Sequence, residues 1–173
     1  MSQDEWAGWR GAMQGRRWLA LAFWLAVVAA VGLVGSLFGS WVTLPKIPTW
    51  YASLAKPSFT PPNAVFGPVW SMLYPMMAVA VWRIGGATEA AARTRTIGLF
   101  VVQLMLNALW SPVFFGLEAP KLGLAVIILL LLALALTLAA FWRIDRLAGL
   151  LLVPYLAWVG YATALNAAIV ALN

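Results

Sequence analysis

The chain has 173 residues and a formal net charge of +6, with 64% hydrophobic and only 9% charged side chains. Water-soluble domains run near half apolar and about a quarter charged, so this composition excludes an ordinary soluble fold and points to the bilayer. Cysteine and histidine are both absent, which removes disulfides, thiolate chemistry and the commonest zinc, copper and haem-iron ligands.

Charged residues are confined to short stretches and leave five charge-free windows, 18–45, 57–82, 96–117, 122–142 and 147–173. Each exceeds the roughly 20 residues needed to cross about 30 Å of hydrocarbon as a helix. The expected architecture is therefore all-α: a single polytopic domain over 1–173, a five-transmembrane-helix bundle. An N-terminal tail over 1–17 precedes spans at about 18–39, 64–84, 97–115, 121–143 and 147–171. Asp4 and Glu5 precede Arg10, Arg16 and Arg17, and the apolar run that follows is too long for a signal-peptide core. The first run is read as a retained span. The tail, the 83–95 segment and the 143–146 turn hold eight basic residues against three (Lys46, Lys56, Lys121) on the other face. For a bacterial inner membrane, the positive-inside rule then places the N-terminus in the cytoplasm and the C-terminus outside. The excess charge reads as orientation, with no nucleic-acid partner.

Helix one carries Gly32, Gly35, Ser36 and Gly39, a small-residue stripe. It serves close helix packing, or a pocket wall thinned so that a ligand can approach the backbone. Residues 40–62 form the one long connection between spans. They hold Pro45, Pro48, Pro57, Pro61 and Pro62, interleaved with Trp41, Trp50, Tyr51 and Phe59. Proline lowers the entropy lost on ordering a loop, whereas a floppy linker would be rich in Gly and Ser. The segment is expected to be a structured cap over one end of the bundle, with an interfacial aromatic belt as the alternative. Helix two has Pro68 in its first turns, where a missing N–H costs little, and Pro75 deeper, where it should bend the helix. Pro112 closes helix three, helix four is a plain Ala/Leu span, and helix five contains Pro154. Such bends make room for a cavity.

No acid, lysine, arginine or histidine lies in the middle of a span, which argues against ion pumping through a carboxylate relay. No internal repeat of the secondary-transporter kind is visible. Gln103 and Asn107 share a face of helix three at i, i+4, and Asn166 follows Thr163 on helix five. Interhelical hydrogen bonding is the favoured role for these amides over ligand contact. Of the eleven tryptophans, Trp18, Trp24, Trp41, Trp82 and Trp142 lie near span ends, where an interfacial role suffices. Trp70, Trp110 and Trp158 lie deeper or close beneath the cap. They could offer a stacking surface for a flat conjugated molecule.

Three stretches, WYASLAKPSFTPPNAVFGPVWSMLYP (50–75), QLMLNALWSPVFFG (103–116) and LLVPYLAWVGYATALN (151–166), resemble the translocator protein / tryptophan-rich sensory protein family, TspO/MBR. The likeness covers about residues 20–173 in family order. It implies a five-helix bundle, commonly a homodimer, that binds porphyrins such as protoporphyrin IX and, in animal members, cholesterol and benzodiazepine-type drugs. The resemblance implies a pocket between helices one, two and five beneath the first loop. Carried over, the candidate ligand-binding residues are Gly35, Ser36 and Gly39 on helix one, and Trp50 and Tyr51 in the loop with its Pro57–Pro62 turn. Phe66, Gly67, Val69 and Trp70 follow on helix two, Asn107 and Trp110 on helix three, and Trp158, Ala162 and Leu165 on helix five. Trp70 and Trp158 match tryptophans implicated in light-dependent protoporphyrin breakdown in some bacterial members. The loop before Trp50 looks longer than in animal proteins, and no basic residue follows Arg146 to complete the cholesterol motif of helix five.

The expected function is a membrane receptor or sensor for porphyrins and related planar apolar molecules. It needs no cofactor or metal, and porphyrin propionates would lie near Lys46 or Lys56 at the loop mouth. The alternatives are a photo-oxidative porphyrin-degrading enzyme using Trp70 and Trp158, and a passive porphyrin or sterol transporter.

Overall fold

The computed structural model describes residues 3–38, 43–87 and 90–173, with side chains described at 15–32, 43–86 and 92–173. Five long helices carry the chain: α1 (Gln3–Phe38), α2 (Phe66–Ala87), α3 (Ala90–Ser111), α4 (Pro120–Ile144) and α5 (Arg146–Leu172). Each contains or overlaps a segment long and apolar enough to cross a bilayer: Gly15–Gly32, Asn63–Gly86, Ala92–Gly116, Pro120–Ile144 and Arg146–Leu172. Large apolar side chains such as Leu19, Met105, Leu132, Leu136 and Leu150 point outward, as lipid-facing positions of a spanning bundle should.

Helix α1 differs from the expected tail plus span: it is helical from Gln3, well before the predicted start near Arg17. No proline interrupts residues 3–17, and Gln, Glu, Ala, Met and Arg are good helix formers there. Hydropathy marks where a helix enters lipid, and says nothing of where its backbone hydrogen bonding begins.

Helix boundaries elsewhere follow local chemistry. Pro120 opens α4 and keeps Ala119, the residue before it, out of the helical region. Only Asp145 separates α4 from α5. Its carboxylate accepts from the backbone N–H of Leu147 (2.9 Å) and Ala148 (3.2 Å), an N-cap for α5. That sharp reversal presses Trp142 onto Gly149, where a Cβ would fall 2.9 Å from the Trp142 Cα, so glycine is required. Pro75 and Pro154 both lie inside helices, α2 and α5.

The helices close a ring. α1 packs on α2, α2 on α5, α5 on α4, α4 on α3 and α3 back on α1. The end carrying the arginines is filled. Leu73, Met77, Val81 and Ile84 of α2 meet Phe100 of α3, Leu134 and Phe141 of α4, and Ala148 and Leu152 of α5. Phe100 and Phe141 stack at 6.0 Å, with Trp24 edge-on to Phe100 at 5.8 Å. Arg83 Nε and Nη2 donate to Asp145 Oδ2 at 2.8 and 2.7 Å, tying α2 to the α4–α5 turn. Burial alone would raise the Asp145 pKa. The Arg83 hydrogen bond and charge, with the N–H groups of Ala148 and Leu147, overcome it and hold the carboxyl below its usual range. Trp82 Nε1 donates to the Arg17 carbonyl at 2.9 Å, and the Arg17 guanidinium lies over the Trp82 ring.

The described part of the connection between α1 and α2, residues 43–65, is structured, as expected of a cap. It contains a helical turn at Leu44–Lys46, a π-helical turn at Ile47–Tyr51 and a 3-10 turn at Asn63–Val65. Lys56 Nζ donates to the carbonyls of Tyr51 (2.6 Å), Leu54 (2.8 Å) and Ala52 (3.2 Å). All three ammonium protons thereby go to the end of that turn.

Candidate functional site

Beneath this loop the ring is hollow, enclosing a cavity of about 1230 Å³. From α2, Phe66, Gly67, Trp70 and Tyr74 line it, a stripe at i, i+4, i+8 that any helix with this spacing presents to one side. Trp70 and Tyr74 lie at 5.1 Å with planes tilted by 30°, and Tyr155 meets Trp70 edge-on at 6.0 Å. Tyr74 is pressed against α1, where a Cβ on Gly32 would fall 2.9 Å from its ring. Gly32 of the α1 stripe thus admits the tyrosine ring.

From α5 come Trp158, Ala162 and Leu165, again on one face. Phe66 meets Trp158 edge-on at 5.6 Å, linking the two aromatic walls. From α3, Asn107 and Trp110 line the far side, and Trp110 stacks on Phe114 at 5.1 Å. Trp110 Nε1 donates to Asn166 Oδ1 (3.2 Å), and Asn166 Nδ2 donates to the Pro120 carbonyl (3.0 Å). Asn166 therefore joins α5 to α3 and to the start of α4, the interhelical role expected of it. Thr163 returns its hydroxyl to the Val159 carbonyl on its own helix. Gln103 is fully buried, and among the described residues neither amide atom has a hydrogen-bond partner, so it does not supply the interhelical bond expected of it.

The loop closes the top. Tyr51 is buried, lines the cavity and packs on Phe115 at 5.5 Å. Burial, with Tyr161 nearby as a lesser cause, pushes its phenol pKa up and keeps it neutral. Trp50 and Val69 do not line the cavity. Trp50 turns onto Phe114 (5.6 Å) and Phe115 (6.3 Å), and Val69 packs into the helix core. Gly39 and the side chains at Gly35 and Ser36 lie outside the described residues.

Four attachments fasten the loop to the bundle. Lys46 pairs with Glu118 before α4, and Thr43 and Ser111 share a hydroxyl hydrogen bond of 2.9 Å. The Asn173 carboxamide grips Ala55 with two bonds of 3.0 Å, accepting from its N–H and donating to its carbonyl. Tyr161 donates to the Phe59 carbonyl at 2.6 Å. Both lysines expected to meet a ligand anion are thus occupied within the protein, and neither lines the cavity. Among the described residues no charged side chain does.

Residues 16–172 match the TspO/MBR family. The chain belongs to that family. It is 43% identical to the tryptophan-rich protein TspO of Chlorobaculum tepidum over 157 residues, covering 90% of this chain and 96% of the relative. It is 42% identical over 158 residues to the protein of that name from Archaeoglobus fulgidus, covering 90% and 97%. The human translocator protein is 46% identical over 123 residues, 68% of this chain and 70% of that protein. This TspO/MBR member is an integral membrane protein, a five-helix bundle without strands among the described residues. Among those residues no cluster of three or more metal-ligating side chains occurs.

Reading the sequence alone missed Tyr74, Phe114 and Phe115 as cavity residues. The signal was present, since Tyr74 lies four residues after Trp70 and Phe114 four after Trp110. Extending each recognised tryptophan by one helical turn finds two of the three.

Proposed function

We propose that this protein is a membrane receptor that holds a flat, apolar ligand, foremost a porphyrin of the protoporphyrin class, in the chamber beneath the α1–α2 loop. One observation carries the reading: a large cavity walled by the ring systems of Tyr51, Phe66, Trp70, Tyr74, Trp110 and Trp158, with no charged side chain among the described residues of its lining. Such a wall rewards a broad conjugated face through stacking and offers nothing to a compact ion. The ligand's propionates would stay at the aqueous margin, because the loop lysines are spent on the protein's own oxygens. We further read the protein as a homodimer whose N-terminus lies in the cytoplasm of a bacterial cell membrane.

Titration with protoporphyrin IX, followed by tryptophan quenching, tests this. The Trp70→Phe plus Trp158→Phe double variant should bind about tenfold more weakly, at roughly 1.5 kcal/mol for two indole faces cut back to phenyl rings. Affinity unchanged from wild type would remove these two rings as the platform.

A second reading, light-driven porphyrin degradation, has one observation in its favour: Trp70 and Trp158 both line the chamber, within reach of a photo-excited ligand. Illuminating the complex under oxygen and finding porphyrin lost no faster than in detergent alone would dismiss it.

A further inference from the structure

We propose that the chamber's ligand enters and leaves sideways from the hydrocarbon of the bilayer, through the seam between α1 and α2, and not through the loop end. This rests on the chamber being a ligand site. It adds the class of molecule served: one that reaches the protein already dissolved in the membrane.

The lining residues divide sharply by exposure. Those on α3, α4 and α5, such as Asn107, Ile127, Leu130, Trp158 and Ala162, are buried or half-buried. On α1, Leu25, Ala26, Ala29 and Ala30 line the same cavity yet are exposed, as are Gly67, Ser71 and Pro75 on α2. A residue that both lines a chamber and faces outward marks an opening. These positions lie within the spans Gly15–Gly32 and Asn63–Gly86, so the opening faces lipid. Alanine, glycine and serine leave room there for the edge of a planar molecule. The one hydroxyl among them, Ser71 Oγ, donates back to the Gly67 carbonyl at 2.9 Å, so these described residues present no unmet hydroxyl to an apolar visitor.

The loop end is built the opposite way. Among the described residues only Leu44 and Asn63 are both exposed and in the lining there, and the loop is held by the attachments at Lys46, Thr43, Asn173 and Tyr161. Passage through it would break those bonds and carry an apolar ligand through water. Passage through the seam requires neither.

The test uses the full chain in lipid nanodiscs, with protoporphyrin IX as probe and stopped-flow quenching as readout. Ala29→Phe combined with Ser71→Phe narrows the seam and should slow association and dissociation together, each by about tenfold. Damage to the binding site alone would instead hasten dissociation. Asn173→Ala with Tyr161→Phe loosens the loop and should leave both rates within about twofold. Faster exchange in the loop variant with unaltered rates in the seam variant would overturn the proposal. A second measurement needs no ligand and little change in side-chain size. The native chain has no cysteine, so Ser71→Cys and Ala29→Cys each give a single thiol. Each should react with a membrane-soluble maleimide and resist a sulfonated, water-soluble one; equal reaction with both contradicts a lipid-facing seam. If porphyrin fails to bind while the thiols show this pattern, the porphyrin reading falls and the lateral opening stands.

Discussion

At the arginine-rich end, Ile84, Phe100, Phe141 and Leu152 are wholly buried and fill the helix ring; at the loop end the same helices stand around about 1230 Å³ of open space. In water such a hollow would collapse under the drive to hide apolar surface. In lipid that drive between helices is absent, so helix positions are set by close packing and polar ties. The filled end supplies both, through interlocked rings and the Arg83–Asp145–α5 cap, and so holds the helices apart where the cavity lies. On the function proposed above, stability and recognition would be separated along the membrane normal.

The comparison breaks most visibly at Phe141. Removing this fully buried ring from the filled end by Phe141→Ala should cost about 3 kcal/mol, the low end for a buried phenylalanine because lipid solvates the exposed surface. A thermal melt in detergent reads the loss, and protoporphyrin affinity of the fraction still folded should stay near wild type. A drop in affinity as large as the drop in stability would show that the two ends are not separable.

A smaller effect is expected at Asp145. Asp145→Ala removes the α5 cap and the Arg83 pair together, and should cost about 1–2 kcal/mol. The pH dependence sharpens the point. Because the folded protein holds this carboxyl below its usual range, its contribution is complete above about pH 4. It is lost as pH falls through the depressed folded value. Melting temperature should therefore decline on acidification in the wild type, and less steeply in Asp145→Asn.

How much was legible in the sequence follows the same division. Charge marked the spans, because no charged residue lies within the five windows and Arg83, Lys121, Arg143 and Arg146 bracket them. The prolines of 45–62 marked an ordered loop, since each fixes a dihedral whatever surrounds it. The direction of neighbouring side chains was not legible. Trp50 and Tyr51 are adjacent, as are Val69 and Trp70, and successive residues on a helix point about 100° apart. In each of these two pairs only one faces the chamber, and the neighbours the pairs pack on, Phe114, Phe115 and Tyr155, come from distant parts of the chain. The engagement of Lys56 was hidden for a similar reason: it depends on three loop carbonyls converging after the π-helical turn closes.

Two glycines of α2 allow the central claim to be tested with matched chemistry. Gly67 lines the chamber and Gly85 lies near the arginine-rich end, and a Cβ built on either meets no atom within 4 Å. Gly67→Leu adds bulk at the chamber's lining and should weaken protoporphyrin binding by about tenfold or more, with the melting temperature little changed. Gly85→Leu should leave binding as in the wild type. Equal affinity in the two variants, measured in the same quenching titration, would contradict the assignment of the hollow end as the place where the ligand sits.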